Sequence, residues 1–487
     1  MSAPTHLPPL SLRAAAPAAL PAERLERLWA WGLASSAMGY VYRPRTKDAL
    51  REVLDTARAS GVSVGLRGAG CSYGDASLNA ERIVVDLTGM DRILEWNPAT
   101  GVARVEPGVT IGQLWRHAIE DGWWPAVVPG TMFPTLGGCA AMNIHGKNNW
   151  AVGPIGDHIL DFDLLLPTGE VRRCSREREA ELFHAAVGGF GMLGCFLSLT
   201  LQLKRVHSGL LSVEPVSVRD LGEMIAVFEE RKERADYLVG WVDAFAGGRR
   251  RGRGLVHQAN HLAPGEDPEP GRTLRAAHQE LPATLFGVLP KAALWRLMRP
   301  LLNNPGVRLV NAAKHHSSRI SSGRSYRQSH AAFAFLLDYV PDWRLAYAPG
   351  GLIQYQSFIP GQRAAAVFGA QLDLCQERGH VPYLAVLKRH RPDAFLMTHA
   401  LDGFSLALDF PVTAAGAKSL WALTADLDRT VVEAGGRFYF AKDSTLSHAG
   451  LRPYLEEERV RRFLALKREC DPEGLLETDL FRRIFPV

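Results

Sequence analysis

Apolar positions along the chain alternate between a spacing of two and a spacing of three to four, which predicts strands interleaved with helices. Leu25, Leu28 and Trp29 stand at helical spacing within residues 22–31, and a first helix is predicted there. Residues 42–46 end a strand, and Thr46 is placed to cap a helix running through Ala57 to Gly61. Residues 62–64 and 82–87 read as strands on either side of a glycine-rich loop. Residues 102–108 read as a strand and turn, and 110–121 as a helix. Residues 161–167 and 169–173 alternate as a hairpin, 180–186 form a short helix, and 192–203 a strand.

The composition changes near Ser208. Strand-like residues from Leu211, a helix over 221–232 and a strand over 237–245 precede a basic glycine run, 247–254, read as a solvated loop. Residues 264–271, with three prolines and two glycines, read as a flexible linker. Residues 283–306 mix Leu285, Phe286, Val288, Leu289, Leu294, Trp295, Leu297, Met298, Leu301 and Leu302 with basic residues. A core helix is the first expectation for that stripe; an interfacial segment is the second. Residues 352–359 alternate and put Gln354 and Gln356 on one face. With strands at 383–388 and 404–410 and a helix at 420–433, an antiparallel sheet with helices on one side follows.

Two stretches carry chemistry. Residues 65–75 contain Gly65, Gly68, Gly70 and Gly74 with Ser72. Strand, loop, strand is not the strand–loop–helix order of a dinucleotide fingerprint, and no Gly-Lys-Ser/Thr ending marks a P-loop. Successive N–H groups of such a loop still form a nest for a pyrophosphate. Residues 129–149 hold Gly130, then Gly137, Gly138, Cys139, Ala140 and Ala141, then His145-Gly146-Lys147-Asn148. Small residues in a row suit backbone pressed against a flat, bulky ligand.

At 487 residues the chain is long enough for two or three domains. The 47% hydrophobic and 22% charged content is that of a water-soluble globular protein, and a net charge of +5 allows, without requiring, an anionic partner. No basic array calls for nucleic acid. None of the six cysteines stands in a Cys-x-x-Cys or zinc spacing, so reduced thiols, no metal and a cytoplasmic setting are expected. No run of 18 apolar residues predicts a membrane span, and residues 1–21, rich in Ala and Pro, read as a disordered leader.

Taken together the motifs resemble flavoproteins of the vanillyl-alcohol oxidase type, whose FAD domain is also called PCMH-type. Within them the match lies nearest the decaprenylphosphoryl-β-D-ribose 2-oxidase family. The residues that carry it are Arg67-Gly68-Ala69-Gly70 with Ser72-Tyr73-Gly74-Asp75, Pro129-Gly130-Thr131, Thr135-Leu136-Gly137-Gly138 and His145-Gly146-Lys147-Asn148. Further on stand Val187-Gly188-Gly189 with Gly191 and Gly194, Gln354-Tyr355-Gln356, Asp409-Phe410-Pro411, Gly435-Gly436-Arg437, Tyr439 and Ala441-Lys442-Asp443-Ser444.

The resemblance implies an α+β fold: a two-part FAD-binding domain plus a substrate domain with an antiparallel sheet flanked by helices. Residues 1–30 would be a leader and first helix, 31–207 the FAD-binding domain, and 208–434 the substrate domain with a flexible basic lid around 247–325. Residues 435–487 would return to the first domain. It assigns non-covalent FAD to Arg67, Gly68, Ala69, Gly70, Cys71, Ser72, Tyr73, Gly74, Asp75, Gly130, Thr135, Leu136, Gly137, Gly138, Met142, Asn143, Ile144, His145, Phe196 and Tyr439. Lys442 and His145 are the implied catalytic pair. Tyr73, Gln354, Gln356, Lys388 and Lys442 would bind substrate.

The implied reaction is oxidation of a secondary sugar hydroxyl, at C2 of a polyprenylphosphoryl ribose, in cell-wall precursor chemistry. A short-chain dehydrogenase/reductase would complete epimerisation toward arabinose, and contact with the inner face of a membrane would suit a lipid-linked sugar. A free sugar, oxidised by an alditol or sugar-lactone oxidase on the same scaffold, is the alternative, although the His-Trp-Asp signature of aldonolactone enzymes is missing. A non-catalytic flavin-fold scaffold is the alternative from another class. The chain departs from the family's pattern in the substrate domain, where Ser405 occupies an asparagine position and Arg389-His390 an apolar one, and in the first glycine loop. Cys71 replaces an arginine, and no histidine is present there for a covalent flavin link.

Overall fold

The protein is described by a computed structural model covering residues 19–285, 287–455 and 457–485. The expected leader up to residue 18, and Phe286, lie outside the described residues.

Three sheets organise the chain. In the first, Ser36–Tyr42 and Val64–Arg67 flank Ile83–Asp86 in parallel, and Leu25–Trp29 adds antiparallel at the edge. The helix Lys47–Ser60 starts where Thr46 accepts a hydrogen bond from the Ala49 N–H and ends at Gly61, φ 63°. Such a cap is worth about 1 kcal/mol. Its apolar face (Leu50, Val53, Leu54, Ala57) packs on Val64, Ile83 and Val85. The glycine loop leaves the carboxyl end of the parallel pair, the usual ligand end of parallel strands.

The second sheet is antiparallel and runs Ile93–Asn97, Val102–Val105, Cys195–Gln202, Ile159–Leu165, Val171–Ser175. The third has eight antiparallel strands in the order Tyr326–Ser329, Leu210–Val218, Gly254–His261, Tyr237–Val242, Leu384–His390, Gly403–Pro411, Leu352–Pro360, Arg437–Phe438. One of its faces carries helices. A Cβ on Gly240 would meet Met224 Sδ of the helix Leu221–Arg231 at 2.7 Å. Ser357 donates to Gln371 of Gly361–Glu377 at 3.3 Å, and Gln371 donates to Thr430 of Ala417–Glu433 at 2.9 Å. By the period of two, Gln354, Gln356, Lys388, Val239 and Trp241 face the other way.

The C-terminal segment rejoins the first sheet. Val64 N–H donates to Leu475 and Glu477 N–H to Val64 O, at 2.7 and 2.9 Å. Arg483 grips both oxygens of Asp75 at 2.9 and 2.7 Å and reaches Asp443 at 2.8 Å.

Four expectations need correction. Residues 22–31 are not helical: a short turn, Ala22–Arg24, leads into the strand Leu25–Trp29. Leu25 and Trp29 are exposed, so their spacing reflected no buried face, and pairing with Ser36–Tyr42 wins. Residues 264–271 are not a loose linker. Asp267 is buried and accepts from Ser208 Oγ, from Thr273 Oγ1 at 2.5 Å and from Glu269 N–H at 2.9 Å. Residues 283–306 form no core helix, because Pro290, Pro300 and Pro305 cut the run into short pieces. Val288, Leu297 and Leu301 there are exposed. Finally, Gly254–His261 is an interior strand of the large sheet, so residues 247–325 are not one lid. No helix among the described residues is long and apolar enough to cross a membrane.

Candidate active site

The first and last parts of the chain meet at the glycine loop. Tyr73 N–H donates to Ala441 O at 3.1 Å, and Trp31 N–H to Ser72 O at 2.8 Å. A side chain on Gly74 would collide with the Asp443 carbonyl. The Arg67 guanidinium braces the loop from within, donating to Ser77 Oγ and to Trp29 O, both at 3.0 Å. Gly70 has φ +65°, and a Cβ there would strike that guanidinium. Among the described residues no acceptor meets the backbone N–H groups of Gly68, Ala69, Gly70, Cys71 or Ser72. Five consecutive free amides form an anion-binding nest.

The loop forms one wall of a cavity of about 510 Å³. That lies within the roughly 300–1,000 Å³ of small-molecule and cofactor sites. The second small-residue stretch supplies another wall. Thr135 caps the short helix Leu136–Ala141, whose Gly137 sits 2.7 Å from Pro107 by the position of an added Cβ. At Gly138 the added Cβ would meet only Thr135 Oγ1, at 3.1 Å. The eight-stranded sheet closes the third side with Gln354, Gln356, Lys388, Leu384, Val386, Val239 and Trp241.

The polar groups of the wall are dominated by cations. Lys442 Nζ lies 3.9 Å from the centroid of the Tyr73 ring. The ammonium groups of Lys388 and Lys442 make no hydrogen bond or ion pair among the described residues. Burial pulls the Lys388 ammonium down to about 7, and Lys442 pushes in the same direction. Burial also lowers Lys442, opposed by the carboxylate of Asp409; burial raises Asp409, opposed by the Gln354 amide and by Lys442. Lys147 is held near 7 by burial and by Lys388, but its ammonium is engaged, donating to Phe333 O at 2.9 Å and Ala334 O at 2.6 Å.

His145 is buried against Phe358, His390, His399 and Tyr439, with ring centroids 4.9–5.6 Å away. Its Nε2 stands 3.2 Å from Gln356 Nε2, and its Nδ1 has no partner among the described residues. Burial and the surrounding cations hold it well below the usual imidazole range. Burial pushes the Cys71 thiol up to about 12, so it stays protonated.

Of the residues singled out in the sequence, most line this one cavity: Arg67 to Tyr73, Gly130, Thr135, Gly137, Gly138, Met142, Ile144, His145, Phe196, Gln354, Gln356, Lys388, Tyr439 and Lys442. Gly74, Asp75, Leu136 and Asn143 lie behind it. Asp75 is bound to Arg483, Leu136 is in the core, and Asn143 Oδ1 accepts from the Gly156 N–H at 3.0 Å. Sequence reasoning missed Trp31, Lys147, Trp241, His257 and Lys314, which also line it. Lys147 stood in view within the His-Gly-Lys-Asn tetrad; nothing in the local sequence marked the others.

A free-amide nest, a floor without side chains and an unpartnered imidazole nitrogen fit a large ligand with both an anionic part and a flat part. The comparisons with known proteins agree. The family model described as an FAD binding domain matches residues 38–175. Decaprenylphosphoryl-beta-D-ribose oxidase of Mycolicibacterium smegmatis is 28% identical over 463 residues, 94% of this chain and 97% of that protein. An uncharacterized protein of Streptomyces coelicolor is 29% identical over 386 residues, 77% of this chain and all of that protein. D-lactate dehydrogenase of Anaerostipes hadrus is 27% identical over 159 residues, about a third of each chain. With its nest of amides, its glycine floor and these relatives, the chain is an FAD-dependent oxidoreductase with a PCMH-type FAD-binding domain.

Proposed function

We propose that this flavoprotein oxidises a secondary hydroxyl of a sugar, at C2 of a polyprenylphosphoryl ribose, to the 2-keto sugar. The observation that carries the reading is the meeting, around one cavity, of two ammonium groups without a hydrogen-bond or ion-pair partner among the described residues, Lys388 and Lys442, with Gln354 and Gln356. The similarity to the mycobacterial ribose oxidase along nearly the whole chain supports it.

Bound FAD supplies the two-electron acceptor for the carbinol C–H. The amides of Gly68 to Ser72 would hold its pyrophosphate, the Gly137-Gly138 floor would let its ring approach, and no covalent link is called for. Gln354 donates to Asp409, which leaves its Oε1 to accept from a sugar hydroxyl. Lys388 would pair with the phosphate. Lys442, drawn toward neutrality by burial, would take the proton of the hydroxyl being oxidised.

The division of labour follows: residues 31–207 and 435–487 for the cofactor, 208–434 for the substrate, with residues 283–325 as the lid. A short-chain reductase would consume the keto sugar. Between Leu281 and Leu337 the chain has eight Lys and Arg and no Asp or Glu. The same segment exposes Val288, Leu297, Leu301, Leu309, Val310 and Ile320. Apolar groups among cations suit the surface of an anionic membrane, from which a lipid-linked sugar would be taken. Lys314 of the helix Asn304–Ser321 reaches from this segment to the cavity wall.

Anaerobic mixing with prenyl-phospho-pentoses and free alditols tests the reading. Bleaching of the flavin by the phospho-ribose is expected. Bleaching by alditols alone would assign the chain to the soluble alditol oxidases instead.

A further inference from the structure

Two of the positions that stand out in the sequence, His390 and Ser405, touch. His390 Nε2 lies 2.8 Å from Ser405 Oγ. They are the middle of a chain of hydrogen bonds that ends on His145. Gln356 Nε2 reaches Ser405 Oγ at 3.1 Å and His145 Nε2 at 3.2 Å, and His390 Nδ1 reaches Asn149 Oδ1 at 3.1 Å. Every member is buried.

The chain has a fixed direction. The backbone N–H of Arg391 meets the same Asn149 atom at 3.4 Å. A backbone N–H only donates, so that atom is the amide oxygen, and His390 must donate to it from Nδ1. Burial comes first in disfavouring a charge on His390 and His145, and every charged group acting on them, namely Lys388, Lys442, Arg389 and the other histidines, is cationic or becomes so on protonation. Both rings are therefore neutral, and His390 Nε2 carries no proton. Ser405 must then donate to His390, and its oxygen must accept from the Gln356 amide. That turns the Gln356 NH₂ group toward both Ser405 and His145, so His145 Nε2 can only accept.

We propose that His390 and Ser405 are positioning residues that hold His145 in its Nδ1–H tautomer. His145 then faces the site as a hydrogen-bond donor and is barred from acting as the base. The unpartnered Nδ1 is the nitrogen left to meet a ligand acceptor, a carbonyl or oxyanion, and a buried N–H is costly to leave unsatisfied until one arrives. The proton of the alcohol is thereby left to Lys442. The inference rests on the proposed function only for the ligand that His145 meets; the tautomer itself is readable without substrate.

The test is long-range ¹H–¹⁵N correlation on the ¹⁵N-histidine-labelled, flavin-loaded protein at pH 7. His145 is assigned by the signal lost in His145→Asn. The expected pattern is a proton on Nδ1 and a bare Nε2. A proton on Nε2, or on both nitrogens, overturns the proposal in the wild-type protein without any variant. Ser405→Thr, which keeps the hydroxyl, should preserve the pattern. Ser405→Ala should convert His145 to a mixture of tautomers, and an unchanged His145 in that flavin-loaded variant would remove the relay as the cause. Failure of every sugar to bleach the flavin would sink the substrate reading and leave this result standing.

Discussion

Lys442 rests its ammonium on the face of the Tyr73 ring, 3.9 Å from the centroid, and so joins two loops more than three hundred positions apart in the sequence. The ring contact stabilises the charged form that burial opposes. The balance keeps this lysine close to its switching point, where a proton is readily exchanged.

Replacing Lys442 by alanine should leave the yellow cofactor bound and lower kcat about 10²–10⁴-fold, the usual loss for a removed acid–base group. Stopped-flow reduction and the flavin spectrum check both halves. Turnover within twofold of wild type would take Lys442 out of the chemistry.

The pH profile should separate charged from uncharged sugars. The Lys388 pKa is depressed to about 7, so its charge is present below that pH and fades above it. KM for a phosphorylated sugar should therefore rise as pH climbs through 7, while KM for an alditol stays level. Lys388→Gln should flatten the phospho-sugar profile, and a persistent rise in that variant would point to another cation.

Gly138→Val tests the floor of the cavity. The added Cβ has only Thr135 Oγ1 in reach, so the fold should tolerate it while the branches occupy the space of the ligand. The expected product is a folded, colourless protein with a near-wild-type melting temperature in its apo form. Full flavin content would contradict the assigned approach.

The exposed apolar surface makes a separate prediction. Leu309→Glu combined with Val310→Glu should abolish co-sedimentation with phosphatidylglycerol vesicles and leave activity on a soluble short-chain substrate within about twofold, as expected for exposed sites remote from the chemistry. Vesicle binding that survives both changes, or that is equal on neutral vesicles, would argue against this face.

Legibility in the sequence followed the range of the interactions. The helix Lys47–Ser60 was readable because Thr46 and Gly61 bound it locally, and the glycine stretches because close approach restricts side-chain size wherever it occurs. The strand Leu25–Trp29 was misread because its partner, not its own spacing, decides its state. The anchoring of residues 264–271 was hidden because Asp267 depends on Ser208, far away in sequence. Trp241 reaches the cavity through the order of strands in the large sheet, and Lys314 through a helix that sets its ammonium 4.2 Å from the centroid of the Trp241 ring, neither of which a local pattern announces. Ser405 and His390 looked like two unrelated oddities until the sheet set them side by side.

The clasp of Arg483 on Asp75 spans 408 positions. At about 5–20 residues per second, the nucleotide loop of a nascent chain waits roughly 20–80 s for its closing partner. Throughout that interval the loop lacks the segment it will rest on. Synthesis that halts before Arg483 would therefore leave a chain with its oxidising centre unfinished, a natural target for quality-control proteases.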